Sequence, residues 1–96
     1  MQYGGTIYIL TNRSNFVLYL GVTSDLYVRV VQHRNKVHAD SYTAKYNCCK
    51  LVYYESYLRI EEAIDREKQI KKWNRAWKLN LINEFNPQWK DLFDTI

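Results

Sequence analysis

The sequence predicts an α+β domain, a three-stranded antiparallel sheet flanked by helices in the order β-β-α-β-α-α. Three observations predict it. Two short runs near the N-terminus, rich in β-branched and aromatic residues, are separated only by turn-forming residues, the pattern of a hairpin. A third run of the same kind lies at mid-chain. The segments after the second and third runs carry apolar residues at helical spacing. Short connections favour one sheet with helices packed on it. The chain has 96 residues, which fits a single domain over 1–96, and 47% of them are hydrophobic. That is enough for one core without disulfides or a structural metal.

In order, residues 6–11 (TIYILT) read as the first strand, 12–15 (NRSN) as a turn and 16–21 (FVLYLG) as the second strand. A four-residue turn would pair Thr11 with Phe16 and set Tyr8 directly opposite Tyr19, their Cβ atoms about 5 Å apart on one face. By itself this is an aromatic pair that stabilises a hairpin. Gly21 at the strand end would let a backbone or ligand come close. Thr23, Ser24 and Asp25 supply N-cap chemistry for a helix over 26–36. Residues 39–48 are polar and irregular and read as a loop. Residues 50–56 form the third strand, 59–73 the longest helix and 75–84 another, and Pro87 opens a short final helix over 88–93. Cys48 and Cys49 are adjacent, too strained a pair for a disulfide in regular structure, and read as two thiols beside a strand. Residues 1–5 carry no basic, apolar leader, and no apolar run approaches the length of a membrane span. The expectation is a cytoplasmic protein without a membrane partner.

Several side chains invite a chemical reading. Ile60, Ala63, Ile64 and Ile70 make an apolar stripe on the long helix, and Glu67 falls inside it. A carboxylate there needs a cation, a hydrogen-bond donor or a metal. Arg29 and His33 are four residues apart, so they stack on one side of their helix at the border of its apolar face. Leu26, Val30 and Val37 centre that face. An arginine there can grip phosphate oxygens, and a histidine can donate a hydrogen bond or move a proton near neutral pH. His38 has no such setting. The formal net charge is +4. Arg66, Lys68, Lys71, Lys72, Arg75 and Lys78 cluster with Trp73 and Trp77 among them, a composition suited to a nucleic-acid surface. Most of the tryptophan area is assigned to the core. Lys45, Lys68, Lys71, Lys72 and Arg75 are the candidate nucleic-acid contacts.

Taken together, these positions resemble the GIY-YIG nuclease family. The first motif stands as Thr6-Ile7-Tyr8, with Thr for the leading Gly, and the second as Tyr19-Leu20-Gly21, with Leu for Ile. Arg29, His33 and Glu67 follow in order. The resemblance covers nearly the whole chain. It is closest to the small stand-alone bacterial members, whose catalytic domain is like that of an excision-repair incision subunit. It implies the GIY-YIG fold and a metal-dependent endonuclease acting on nucleic acid, with DNA and DNA repair the expected setting. Tyr8 or Tyr19 would position or deprotonate the attacking water, Arg29 would hold the scissile phosphate, His33 would assist proton transfer, and Glu67 would bind one Mg2+ or Mn2+. Larger members append a DNA-recognition domain, so low intrinsic sequence specificity, or specificity from a protein partner, is expected here. The alternative is a non-catalytic nucleic-acid-binding module of the same fold.

Overall fold

In the computed structural model, which describes residues 4–96, the chain runs β1 (Gly5–Thr11), β2 (Leu18–Thr23), α1 (Leu26–Arg34), α2 (Tyr42–Lys45), β3 (Lys50–Tyr57), α3 (Ile60–Lys71), α4 (Arg75–Phe85) and a 3-10 turn (Phe93–Thr95). The strands form one antiparallel sheet in the order β2-β1-β3. The predicted α+β class and strand topology are therefore present.

β1 is central and buried along its whole length, so its alternate residues feed two cores. Ile7 and Ile9 point to one face and join Val52, Ala63, Ile70 and Ile82, the contributions of β3, α3 and α4. Tyr8 and Leu10 point to the other and join Val30 of α1, Cys48 and Leu51. The sheet is thus covered on both sides, as its apolar strands require. Gly5 lets α3 lie close: a Cβ there would come within 2.7 Å of the Ile60 side chain and 2.9 Å of Ala63. Thr6, at the position of the motif's first glycine, is nearly buried and bonds across the sheet to Ser56 at 3.0 Å.

The hairpin departs from the four-residue turn. Thr11 pairs with Leu18, Tyr8 with Gly21 and Leu10 with Tyr19. Asn12 causes the shift. Its side-chain oxygen accepts from the amides of Phe16 (2.9 Å) and Val17 (3.0 Å), drawing both into the loop. Asn15 supplies the left-handed backbone that closes it. The register moves by two residues, and a shift of two preserves the face. Tyr8 and Tyr19 are therefore diagonal neighbours on the same side rather than directly opposed.

Three further expectations are corrected. Residues 39–48 are not wholly irregular: Ser41 caps the short helix α2, its Oγ accepting from the Ala44 amide. Pro87 opens no helix over 88–93, because Trp89 has φ 53° and Asn86 ties the segment down through Lys90 and the Val52 carbonyl. Helix α1 stops at Arg34, and Lys36 turns left-handed, so Val37 is exposed rather than in the apolar face. Both cysteines are free, with Cys48 buried. Among the described residues no helix is long and apolar enough to cross a membrane.

Candidate active site

Tyr8 stands at the centre of a polar chain within an otherwise apolar layer. β1 aims it toward α1, and Gly21 on β2 leaves room for its ring. A Cβ at Gly21 would lie 2.5 Å from the Tyr8 Cζ and hydroxyl and 3.0 Å from the Tyr19 ring. The glycine of the second motif is thus required by contact and not by backbone angle, since none of the described glycines has positive φ. Tyr8 is 1% exposed. Its hydroxyl lies 3.0 Å from His33 Nε2 and accepts from Arg29 Nε at 3.4 Å. His33 Nδ1 lies 2.8 Å from the Thr43 hydroxyl.

One direction of donation satisfies every member. Arginine can only donate, so Arg29 gives to the Tyr8 oxygen. Tyr8 O–H then gives to His33 Nε2, and His33 Nδ1–H gives to Thr43. This assigns a neutral imidazole, in keeping with its setting: burial, and then the nearby Arg29 charge, push the His33 pKa down to about 4. Burial likewise pushes Tyr8 up to about 12, with the Arg29 hydrogen bond opposing. That same bond is the first cause of the raised Arg29 pKa, so the guanidinium stays charged.

Tyr19, half-buried, completes the group. Its ring centroid is 5.5 Å from that of His33 and 6.2 Å from that of Tyr8. Tyr42 of α2 stacks on its other side at 6.2 Å. Arg29 gives Nη1 to Gln32 at 3.1 Å, while Nη2 makes no hydrogen bond among the described residues. The site thus offers one charged donor and a half-buried phenol, Tyr19, with a buried hydrogen-bond chain behind them.

The structure brings Tyr8, Tyr19, Arg29 and His33 together. Glu67 belongs to α3, which packs on the Ile7 and Ile9 face, so it stands across the sheet from Tyr8. Its side chain is only 14% exposed, as its place in the apolar stripe predicts, and its carboxylate pairs with Lys71 at 3.4 Å. Lys45 is exposed on α2, two residues from Thr43. Lys68, Lys71 and Lys72 are exposed on and just after α3. Arg75 instead donates to the Phe16 carbonyl and lies 5.6 Å from that ring, bracing the hairpin loop against α4. Arg66 is engaged by Glu55, whose carboxylate also accepts from Tyr53 and Tyr57. Trp77 is 57% exposed, against its assignment to the core. Thr43 and Tyr42 were not legible as site residues. The only signal for them was Ser41, a capping residue ahead of a helix too short to show periodicity.

The neutral His33 has a measurable consequence. Its folded pKa lies below that of an unfolded histidine. As pH falls from about 6.5 to about 4 the unfolded chain binds a proton that the folded chain refuses. The contribution is fully present above pH 6.5 and is lost across that window, on the order of 3 kcal/mol in all. Urea unfolding at pH 7 and pH 4.5 should show a steeper loss in the wild type than in His33→Gln. Equal losses would place the imidazole outside this network.

Comparison with known proteins identifies the family. The GIY-YIG catalytic domain matches residues 4–80. A UPF0213 protein of Staphylococcus epidermidis is 40% identical over 67 residues, covering 70% of this chain and 80% of that protein. A UPF0213 protein of Syntrophus aciditrophicus is 37% identical over 82 residues, covering 85% and 92%. No solved structure matches. The matched span contains both tyrosine motifs, Arg29, His33 and Glu67, and on that ground the chain belongs to the GIY-YIG nuclease family.

Proposed function

We propose that this chain, read as a single domain over 1–96, is an endonuclease that hydrolyses phosphodiester bonds in nucleic acid, with DNA the expected substrate. The observation that carries this reading is the Arg29–Tyr8–His33–Thr43 chain with Tyr19 beside it. A buried network of this kind holds a guanidinium rigidly while leaving one of its nitrogens free.

Each residue has a role that its surroundings support. Arg29 binds the scissile phosphate through the free Nη2 and stabilises charge that builds on its oxygens. Tyr8 is too deeply buried to meet a water, so it positions Arg29. Tyr19 is the phenol exposed enough to orient the attacking water. His33, a neutral acceptor for the Tyr8 O–H, fixes that hydroxyl with its lone pair toward Arg29. Lys45, Lys68, Lys71 and Lys72 contact flanking phosphates, whereas Arg75 contributes chiefly as a brace.

The family implies a divalent ion, and Glu67 suits one. It is a mostly buried carboxylate whose recorded partner is an exposed lysine. Among the described residues no three His, Cys, Asp or Glu side chains gather to cage a metal. A single carboxylate fits Mg2+ or Mn2+, hard ions that keep several waters and complete their shell with substrate phosphate. When bound, the ion would polarise the phosphate and assist the leaving oxygen. For Glu67 to serve the phosphate held by Arg29, the substrate must reach round the margin of the sheet at β2, one of its two edge strands. The reading includes low intrinsic sequence specificity, or specificity from a partner protein, and action in the cytoplasm.

The test is incubation with plasmid, single-stranded DNA and RNA, in Mg2+ or Mn2+ and in chelator. Nicking that chelator abolishes is the expected result. Salt-sensitive binding without cleavage would favour the second reading, a non-catalytic binding module, for which the Glu67–Lys71 pair is the supporting observation.

A further inference from the structure

A cleft of about 510 Å³ opens where β1 ends and β3 begins, beside the tyrosine cluster but lined by none of its residues. Its chemistry is cationic. Arg13 of the hairpin loop, Arg34 at the end of α1 and Lys50 at the start of β3 line it, with Asp91 the one carboxylate. Asp91 offers little free charge. One oxygen accepts from the amides of Leu51 and Phe93, and the other binds Arg34. Arg34 is held in place by that pair and by the Phe93 ring, 4.2 Å from its guanidinium carbon. Its Nε is nevertheless buried with no hydrogen-bond partner among the described residues. A buried charged donor without an acceptor carries an uncompensated desolvation cost, which an anion in the adjoining cleft would offset through its charge. Neither Arg13 nor Lys50 joins an ion pair among the described residues. Asn47 accepts from Lys36 Nζ at 2.7 Å, which leaves its amide nitrogen as a further donor to the cleft.

We propose that this cleft binds a phosphate group of the nucleic acid other than the one being cut. Two guanidiniums and an ammonium around one hollow are the donor set that phosphate oxygens fit. The identity of the ligand rests on the nuclease reading, while the anion preference stands on these donors alone. The cleft adjoins the tyrosine cluster: Arg34 follows His33 on α1, and Cys49 Sγ, which lines the cleft, is 4.0 Å from the His33 carbonyl oxygen. A strand whose scissile phosphate meets Arg29 can therefore lodge another phosphate here, and that fixes where the strand is cut. The phosphate is either an internal diester or a terminal monophosphate.

Residue-resolved NMR titration of the full chain separates these. Inorganic phosphate should shift the Arg34 Nε resonance and the Arg13 and Lys50 amides. Arg13→Gln/Lys50→Gln, two changes at the rim of the cleft, should weaken that response at least tenfold. Arg59→Glu, with the same change in net charge at an exposed residue outside the cleft, should leave it unchanged. An unphosphorylated oligonucleotide that reproduces the shifts identifies an internal diester, and a requirement for a 5′-phosphate identifies a terminal one. The rim variant should also flatten the dependence of log K on log salt by about one unit for one lost phosphate contact. No shift in the cleft, or an undiminished one in the rim variant, overturns the proposal. Because cleavage is not the readout, cleft binding without nicking would count against the nuclease reading alone. Nicking without cleft binding would count against the cleft alone.

Discussion

Replacing Arg29 with alanine should lower phosphodiester cleavage about 10²–10³-fold while the chain stays folded. The size follows from what is removed, a preorganised charged donor aimed at the place where phosphate charge builds. The fold should survive because Arg29 is half-buried and its partners keep others: Tyr8 retains His33, and Gln32 sits at the surface of α1. Arg29→Lys should recover only part of the rate, since an ammonium keeps the charge but not the planar fork that reaches Tyr8 and the phosphate at once. A second readout confirms that the network is intact but altered. The Arg29 charge helps to hold the His33 pKa down to about 4, so in Arg29→Ala the imidazole should titrate higher, visible by NMR. Single-turnover rates alongside that titration check both halves. A normal rate in Arg29→Ala would remove the guanidinium from the chemistry.

Glu67→Gln should be the other severe variant, losing metal-dependent cleavage by about 10²–10³-fold with almost no change in stability. The amide is nearly isosteric with the carboxylate, so the apolar stripe of α3 stays filled. The lost pair with Lys71 involves an exposed lysine, and pairs of that kind contribute less than about 1 kcal/mol. Raising Mn2+ should recover part of the activity if the defect is one of affinity. A variant that melts early without losing cleavage would instead make Glu67 a structural residue.

The contrast between these two sites shows what the sequence can and cannot encode visibly. Tyr8 and Tyr19 were placed on one face despite a wrong register, because pleat alternation is insensitive to a shift of two residues. The shift itself lay in Asn12, whose side chain takes two backbone amides, and composition does not reveal that choice. Arg29 and His33 were legible from helical spacing, and both reach the Tyr8 hydroxyl. Their partner Thr43 was not, because the four residues of α2 carry no period. Glu67 was recognisable as a carboxylate among apolar neighbours, yet nothing in the helical pattern says which face of the sheet that helix covers. Arg66 and Arg75 looked like free phosphate ligands in sequence. In the fold, Glu55 and the Phe16 carbonyl engage them, since long cationic side chains take nearby acceptors.

Cleavage by this chain requires that a carboxylate from one layer and a guanidinium from the other act on the same phosphate. A crystal of the unmutated chain, grown with a cleavage-resistant phosphorothioate DNA oligonucleotide and Mn2+ and read by anomalous scattering, tests it most directly. The predicted result is one Mn2+ at the Glu67 carboxylate and, beside it, a phosphate within hydrogen-bond reach of the Arg29 guanidinium. A Glu67 still closed on Lys71 at saturating Mn2+, with the phosphate bound elsewhere, would contradict it.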